Sequence, residues 1–274
     1  MPDRKVPVHS LKSLHARGTV CRGAASAPSA ARKSASPSRE PADAARAHSA
    51  LAIDMSVMIR KFVRPGDCAV ELGCADGRNL RLMAEAAGDD GCVIGIDASP
   101  GHIQRLRQSP SLRRIRNLRL FLSRGDSLPI EADVADVIIC QGLVSPSGSR
   151  QAVYREMLRV LRPGGIIVVH DIVVHKLLPP EIADSVAAFA SGLAGAIEAE
   201  SYRRILERLD LRDLQLTHCP STDLLQQLLI PSAAEMTAGH QVASALNEVR
   251  SILPNFISVV RIFARKLGPA GYAS

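Results

Sequence analysis

The residues best suited to chemistry surround a glycine turn in the first third of the chain. Positions 70–77 read VELGCADG and stand between an apolar run and a helical pattern. Gly73 allows a tight turn with its backbone close to a ligand, and Gly77 allows the next helix to begin near the same point. Asp97 ends the following apolar run, where a carboxylate can accept hydrogen bonds from both ribose hydroxyls of a nucleoside. A strand-end acid can also cap a helix, but beside this turn the pattern predicts a nucleoside-binding site.

Two further turns belong to an alternating pattern of elements. Positions 124–129 read RGDSLP after the third predicted strand, and positions 161–165 read LRPGG before the fifth. Short apolar runs alternate with helical periodicities, which predicts an α/β fold with a doubly wound parallel sheet and a ligand beyond the carboxyl ends of its strands. The predicted strands are 68–72, 92–97, 118–122, 134–140, 166–170, 211–217 and 257–264. The predicted helices are 45–64, 78–87, 100–108, 149–161, 200–209 and 233–253.

Composition separates a basic tail from one large domain. Residues 1–46 hold nine Lys or Arg and three acids, so they carry most of the net charge of +7. Residues 1–45 are rich in Ser, Ala, Arg and Pro and lack apolar periodicity, which predicts a disordered tail followed by one domain over 46–274. The tail composition is typical of a bacterial basic extension and also of an organelle transit peptide, and both interpretations stay open.

Other features of the composition narrow the class of protein. The chain has six cysteines, no C-x-x-C spacing and no secretory signal, which favours a reducing, cytoplasmic location and no metal site. It has no run of about 20 apolar residues, so no membrane span is expected. Aromatic residues make up 3% of the chain and do not interleave with the basic tail, which disfavours nucleic acid as a partner.

In order and spacing, these four motifs resemble the motif series of class I S-adenosylmethionine-dependent methyltransferases, over about residues 45–266. The turn at 161–165 is the most family-specific piece. The resemblance implies a Rossmann-like fold whose mostly parallel, seven-stranded sheet has helices on both faces and an antiparallel last strand. It also implies S-adenosylmethionine as cofactor, a small-molecule acceptor, and a monomer or homodimer.

The resemblance further implies which residues hold the cofactor. The family has a glycine where this chain has Ala75. His170, at the end of the fifth strand, could take a proton from a hydroxyl or thiol acceptor, although it could also be a structural histidine. The methionine part would lie against Glu71, Gly73, Cys74, Ala75 and Gly77, the ribose against Asp97 and Ala98, the adenine against Asp126 and Ser127, and the methyl region against Cys140 and Gln141.

Within the class, the chain is most similar to the arsenite methyltransferase-like branch. That branch binds trivalent arsenic through cysteine thiolates, whereas this chain has Gly142 and Gly192 at the aligned positions. We therefore expect a small, rather apolar organic acceptor, held by segments 178–199 and 220–254. The stretches that carry the similarity are 136–139 (DVII), 154–156 (YRE), 170–173 (HDIV), 178–181 (LPPE), 195–196 (GA) and 256–261 (FISVVR).

Three other functions would account for parts of the same pattern. A nicotinamide-dependent oxidoreductase would also use a glycine turn and Asp97, but its G-x-G-x-x-G spacing is absent and Asp126 would have no role. A methyltransferase-like scaffold without activity stays open, because the chain lacks the arsenic-binding cysteines of its neighbours. A nucleic-acid methyltransferase is disfavoured, because positions 140–143 read CQGL where that class has an Asn/Asp-Pro-Pro-aromatic tetrad.

Overall fold

The computed structural model describes residues 55–141, 150–176, 197–219 and 255–268. The predicted tail, the helix predicted over 233–253, Gly142, Gly192 and nearly all of the two acceptor segments lie outside these ranges. The strands are β1 (Cys68–Leu72), β2 (Cys92–Asp97), β3 (Leu118–Leu122), β4 (Ala135–Gln141), β5 (Leu161–Val174), β6 (Ile197–Glu198), β7 (Leu211–Cys219) and β8 (Ile257–Lys266). The α-helices are α1 (Ser56–Phe62), α2 (Arg78–Ala87), α3 (Pro100–Gln108), α4 (Arg150–Val160) and α5 (Ala199–Glu207), and a 3₁₀ turn spans Leu112–Arg114.

The strands form one mixed sheet in the order β3-β2-β1-β4-β5-β8-β7. Strands β1 to β5 pair in parallel, and β8 lies antiparallel between β5 and β7. This order confirms the predicted mostly parallel sheet with an antiparallel last strand. A two-residue strand, β6, also pairs with the end of β5 and makes an eighth. A segment of two residues is too short for periodicity to reveal, so the sequence predicted seven.

Strand β5 is longer than the predicted 166–170, because it includes the LRPGG turn. Leu161 pairs with Ala135 and Ile166 with Val137, so four residues of β5 bulge opposite one residue of β4. Gly164 adopts a φ of +78° inside this bulge. A local register shift of this kind keeps both flanking parts in one ladder, although the sequence pattern reads as a turn.

Buried strands and capped helices follow directly from the sequence. Every residue of β1 and β2 is buried, as expected for parallel strands covered on both faces. Helix α3 begins with Pro100 after Ser99, whose hydroxyl accepts a hydrogen bond from the His102 amide at 3.4 Å. No helix in the part of the chain that the structure describes is long and apolar enough to cross a membrane.

Each face of the sheet has its own apolar core. One core packs Val70, Ile94, Ile138 and Val169 with α4 and α5, and the other packs Ala69, Val93, Val137 and Val168 with α1, α2 and α3. Side chains alternate between the faces along a strand. The odd-numbered residues of β1, β2, β4 and β8 and the even-numbered residues of β5 therefore face α1, α2 and α3. The residues that occupy this face near the carboxyl edge of the parallel strands are Glu71, Asp97, Gln141, His170 and Arg261.

Candidate cofactor and acceptor site

The glycine turn brings the backbone after β1 against the end of β2. The amides of Gly73 and Cys74 both donate to the Ile96 carbonyl, at 2.8 and 3.2 Å. Gly77 adopts a φ of +75°, and a Cβ there would lie 2.6 Å from Leu106 and 2.7 Å from a methyl of Leu112. The positive φ favours glycine at this position, where two leucine methyls already fill the space beside it, so α2 can begin close to the turn.

Asp97 is the last residue of β2, and its carboxylate also stabilises the glycine turn through hydrogen bonds. Its carboxylate accepts hydrogen bonds from the Ala75 amide at 2.9 Å, from the Ser99 amide at 2.8 Å and from His102 Nδ1 at 3.1 Å. A carboxylate has about four lone-pair sites, so roughly one stays available for a ligand hydroxyl. The cap of α3 is the Ser99 side chain and not Asp97, and the predicted ribose contact would use the lone pair of Asp97 that remains.

Ala75 stands where the resembling family has glycine, and its φ is +34°. An L-residue reaches positive φ only at a cost, because its Cβ approaches the backbone carbonyl. The hydrogen bond from its amide to Asp97 holds it there.

Glu71 supplies a buried carboxylate beside the turn. Its Oε1 accepts a hydrogen bond from Asn79 Nδ2 at 2.8 Å, and the same amide group reaches Gln141 Oε1 at 3.3 Å. Its Oε2 is buried and has no hydrogen-bond partner among the described residues. Burial raises the pKa of Glu71 to about 8, because a charged carboxylate loses its hydration there. Sequence analysis missed Asn79, which is the second residue of α2 and carries no motif of its own.

The predicted adenine-side residues follow β3, the strand next to β2. Asp126 lies 3.7 Å from Arg124, and the Ser127 amide donates to the Arg124 carbonyl at 3.2 Å. Gly125 packs against Val153, where an added Cβ would come within 3.0 Å. Because Asp97 pairs with Leu122 in register, this turn begins at the same edge as the glycine turn. Ala98 is exposed beside it.

The two cysteines at strand ends do not form a pair. Cys74 belongs to the core on the α1 side, whereas Cys140 belongs to the core on the opposite face. Burial raises the pKa of both thiols well above the usual range. Neither is a thiolate near neutral pH, and the described residues contain no group of three or more His, Cys, Asp or Glu that could hold a metal.

His170 lies on the predicted edge, between Gln141 of β4 and Arg261 of β8 in register. Arg261 Nε donates a hydrogen bond to His170 Nε2 at 2.8 Å, so this nitrogen is unprotonated and already used. Burial, together with the Arg261 charge, lowers the pKa of His170 to about 4. In this arrangement His170 is neutral. The lone pair on its unprotonated nitrogen already accepts a hydrogen bond from Arg261, so it is not available to take a proton from an acceptor.

Asp171 faces the other side of the sheet and joins a buried polar network. It accepts hydrogen bonds from Tyr202 at 2.9 Å and from Arg150 Nε at 3.2 Å, and the Tyr202 hydroxyl lies 3.0 Å from that of Tyr154. Burial raises the pKa of Asp171, and the Arg150 charge opposes this shift. The network ties the beginning of α4 and the helix α5 to β5, away from the glycine turn.

Comparison with known proteins identifies the class. A family model described as a methyltransferase domain matches residues 64–210, which is more than half of the chain. The chain therefore belongs to the methyltransferase domain family, whose class I members use S-adenosylmethionine, as the motif series predicted.

The chain is similar to individual proteins of several activities, one of them from the branch that the sequence indicated. Arsenite methyltransferase of Halobacterium salinarum is 25% identical over 186 residues, covering 68% of this chain and 47% of that protein. The [4+2]-cyclase SpnF superimposes with a TM-score of 0.61 at 19% identity, covering 78% of this chain and 80% of that one. Phosphoethanolamine N-methyltransferase 2 of Haemonchus contortus, in complex with S-adenosylmethionine, gives 0.62 at 14%, covering 82% and 57%. The chain spans about half the length of its first curated relative, and the structural similarities concern the fold.

The residues present fit the cofactor of this family. The unpaired Oε2 of Glu71 matches a ligand ammonium group. The turn at Gly73 has open backbone, since a Cβ there would meet only the Gln141 carbonyl, at 3.6 Å. Together with the remaining acceptor site of Asp97, these groups lie at one edge and on one face of the sheet.

Proposed function

We propose that this protein is an S-adenosylmethionine-dependent methyltransferase that acts on a small, rather apolar organic acceptor. The observation that carries the proposal is the buried carboxylate of Glu71, with one oxygen unpaired, at the end of β1 just before the glycine turn. A buried polar atom without a partner costs free energy, and a ligand cation would remove that cost. We place this activity in the cytoplasm.

Each part of the cofactor would contact a different group of the predicted site residues. Glu71 would hold the ammonium of the methionine part, Asp97 the ribose, and Asp126 with Ser127 the adenine. Gln141 would line the methyl region, whereas the Cys140 side chain is buried in the core on the opposite face and could contribute only its backbone there. When bound, S-adenosylmethionine supplies a methyl group on a sulfonium that is already activated for displacement. The protein then contributes mainly proximity and orientation.

The acceptor class follows from the groups that can move a proton. We assign no general base to His170, because its unprotonated nitrogen accepts from Arg261. Acceptors that react without losing a proton to the protein are neutral amines, thiolates and carboxylates. Arsenite is disfavoured, because Cys74 and Cys140 lie on opposite faces and stay protonated.

Calorimetry with S-adenosylhomocysteine and with NAD tests the cofactor. We expect binding of the first alone, and tighter binding of NAD would overturn the proposal in favour of an oxidoreductase. Incubation with methyl-labelled cofactor should then transfer label to a member of a panel of small phenols, amines, thiols and carboxylic acids, beside arsenite with glutathione. Label in methylarsenicals would overturn the acceptor class. Cofactor binding without label in any product would favour a methyltransferase-like scaffold.

A further inference from the structure

Arg261 is a half-buried cation at the acceptor edge, and no carboxylate of the described residues pairs with it. Three other half-buried arginines do have such partners: Arg150 pairs with Asp171, Arg159 with Glu156 and Arg265 with Asp213. A partly buried charge without a counter-ion is costly, so an anion is expected to complete the site.

His170 fixes where this cation points. Its Nε2 accepts a hydrogen bond from Arg261 Nε–H at 2.8 Å, and this holds the guanidinium of β8 over β5. Because the Nε–H is used, the two terminal amino groups of Arg261 remain as donors. The histidine stays neutral, so the local positive charge belongs to Arg261 alone, and its imidazole acts as a positioning group.

The same register places the guanidinium next to the methyl region. Gln141 pairs with His170 on one side, and Arg261 pairs with His170 on the other. Neighbouring strands lie about 4.8 Å apart, so the guanidinium over β5 is about one strand spacing from the end of β4. All three side chains occupy the face that carries Glu71 and Asp97.

We propose that Arg261 binds the carboxylate of a small organic acid, which is the acceptor or carries the acceptor atom. Arginine offers parallel donors that match a carboxylate in a bidentate way. A carboxylate also needs no general base, which agrees with the hydrogen bond from Arg261 that occupies the unprotonated nitrogen of His170. The inference rests on the proposed function, because it assigns the acceptor of that same site.

The test compares acids with their neutral isosteres in binding, independent of turnover. Phenylacetate and octanoate, each beside its primary amide, are titrated into the full chain with and without S-adenosylhomocysteine, and dissociation constants are read by ligand-observed NMR. The acids should bind at least tenfold more tightly than the amides, as the loss of a charged hydrogen bond requires. Arg261→Gln should weaken acid binding about tenfold and leave amide binding unchanged. Gln keeps a donor for His170.

Arg265→Gln is the matched control, since Arg265 lies on the same strand and face but four residues further along, near the end of β8, where it donates to the Gly164 carbonyl. It should change acid binding less than twofold. Equal binding of acids and amides, failure of every acid to bind, or equal loss in both variants would overturn the proposal. Binding of S-adenosylhomocysteine to each variant is measured in parallel. Its absence from the wild-type protein would defeat the proposed function, whereas its retention beside lost acid preference would defeat the Arg261 assignment alone.

Discussion

The amide of Ala75 donates a hydrogen bond to Asp97 Oδ2 at 2.9 Å, which joins the glycine turn after β1 to the end of β2. Through this bond, one carboxylate both shapes the turn and faces the place where a ribose would lie. Replacement of Asp97 is therefore expected to affect folding and cofactor binding together.

Asp97→Ala should weaken S-adenosylhomocysteine binding about tenfold or more, by about 1.5–3 kcal/mol for hydrogen bonds to a charged group. The free energy of unfolding should fall by about 1–3 kcal/mol, because the amides of Ala75 and Ser99 lose a buried partner. Calorimetry and urea unfolding measure the two effects. Asp89→Ala, at an exposed turn, is the control and should change neither. An unchanged dissociation constant for the Asp97 variant would mean that this carboxylate serves the turn only.

Ala75→Gly should stabilise the protein by up to about 1 kcal/mol. The left-handed conformation costs an L-residue about 1–2 kcal/mol, and the added entropy of glycine in the unfolded chain offsets only about 0.4–1 kcal/mol of that. The same substitution at Ala84, inside α2, should instead destabilise by about 1 kcal/mol. Denaturant midpoints compare the two variants. A loss of stability at Ala75 would show that its φ of +34° is unstrained.

The affinity for S-adenosylhomocysteine should rise between pH 6 and 8. Burial raises the pKa of Glu71 from 4.5 to about 8, so the unliganded protein holds this proton at neutral pH and must release it to meet an ammonium. In the absence of ligand, the stability that this protonated group contributes is full below pH 4.5 and is lost as the pH rises through about 8.

Glu71→Gln should weaken binding at pH 8 and flatten the pH profile, whereas Glu85→Gln on the exposed surface of α2 should keep it. Calorimetry in buffers of different ionisation enthalpy counts the released proton directly. A pH-independent affinity in the wild-type protein would contradict an ammonium partner for Glu71.

Stability should fall as the pH drops from 6.5 to about 4, in part because of His170. Burial and the Arg261 charge lower the pKa of His170 to about 4, so the unfolded chain takes up a proton in this window and the folded chain does not. His170→Gln keeps an acceptor for Arg261 and should reduce the loss of stability at acid pH. His218→Gln, at an exposed position, should leave that loss of stability unchanged. Urea midpoints across this pH range provide the measurement. The same slope in wild type and His170→Gln would contradict the lowered pKa.

Tyr202→Phe should cost about 1–3 kcal/mol of stability and leave S-adenosylhomocysteine binding unchanged. The hydroxyl lies between Asp171 and the Tyr154 hydroxyl, so its removal leaves buried polar groups with fewer partners. Tyr154→Phe removes only the outer hydroxyl and should cost less. Equal losses of stability in the two variants would mean that the hydrogen bond between the two tyrosines, and not the one from Tyr202 to Asp171, contributes the stability. A loss of cofactor affinity would connect this face to the glycine turn.

The sequence by itself determined the alternation of strands and helices, the glycine turn and the sheet edge at which we propose that the cofactor binds. These features depend on periodicity and on local conformational demands such as the positive φ of Gly77, which nearby residues express directly. The bounds of β1, α2, β2, α3 and β3 were predicted to the residue for the same reason. The register jump that extends β5 was not, because it depends on the pairing of β4 with a distant turn.

Only the tertiary structure decided the electrostatic state of the site. Glu71 and His170 carry ordinary pKa values in a free chain, and burial within the sheet moves them to about 8 and about 4. The pairing of His170 with Arg261 joins residues 91 positions apart, and no spacing rule connects them. Whether Cys74 and Cys140 could meet was likewise a question of faces. The alternation of side chains along a strand places each residue on one of the two faces. Which helices cover which face depends on the order of the strands in the sheet, and this order is a property of the tertiary structure.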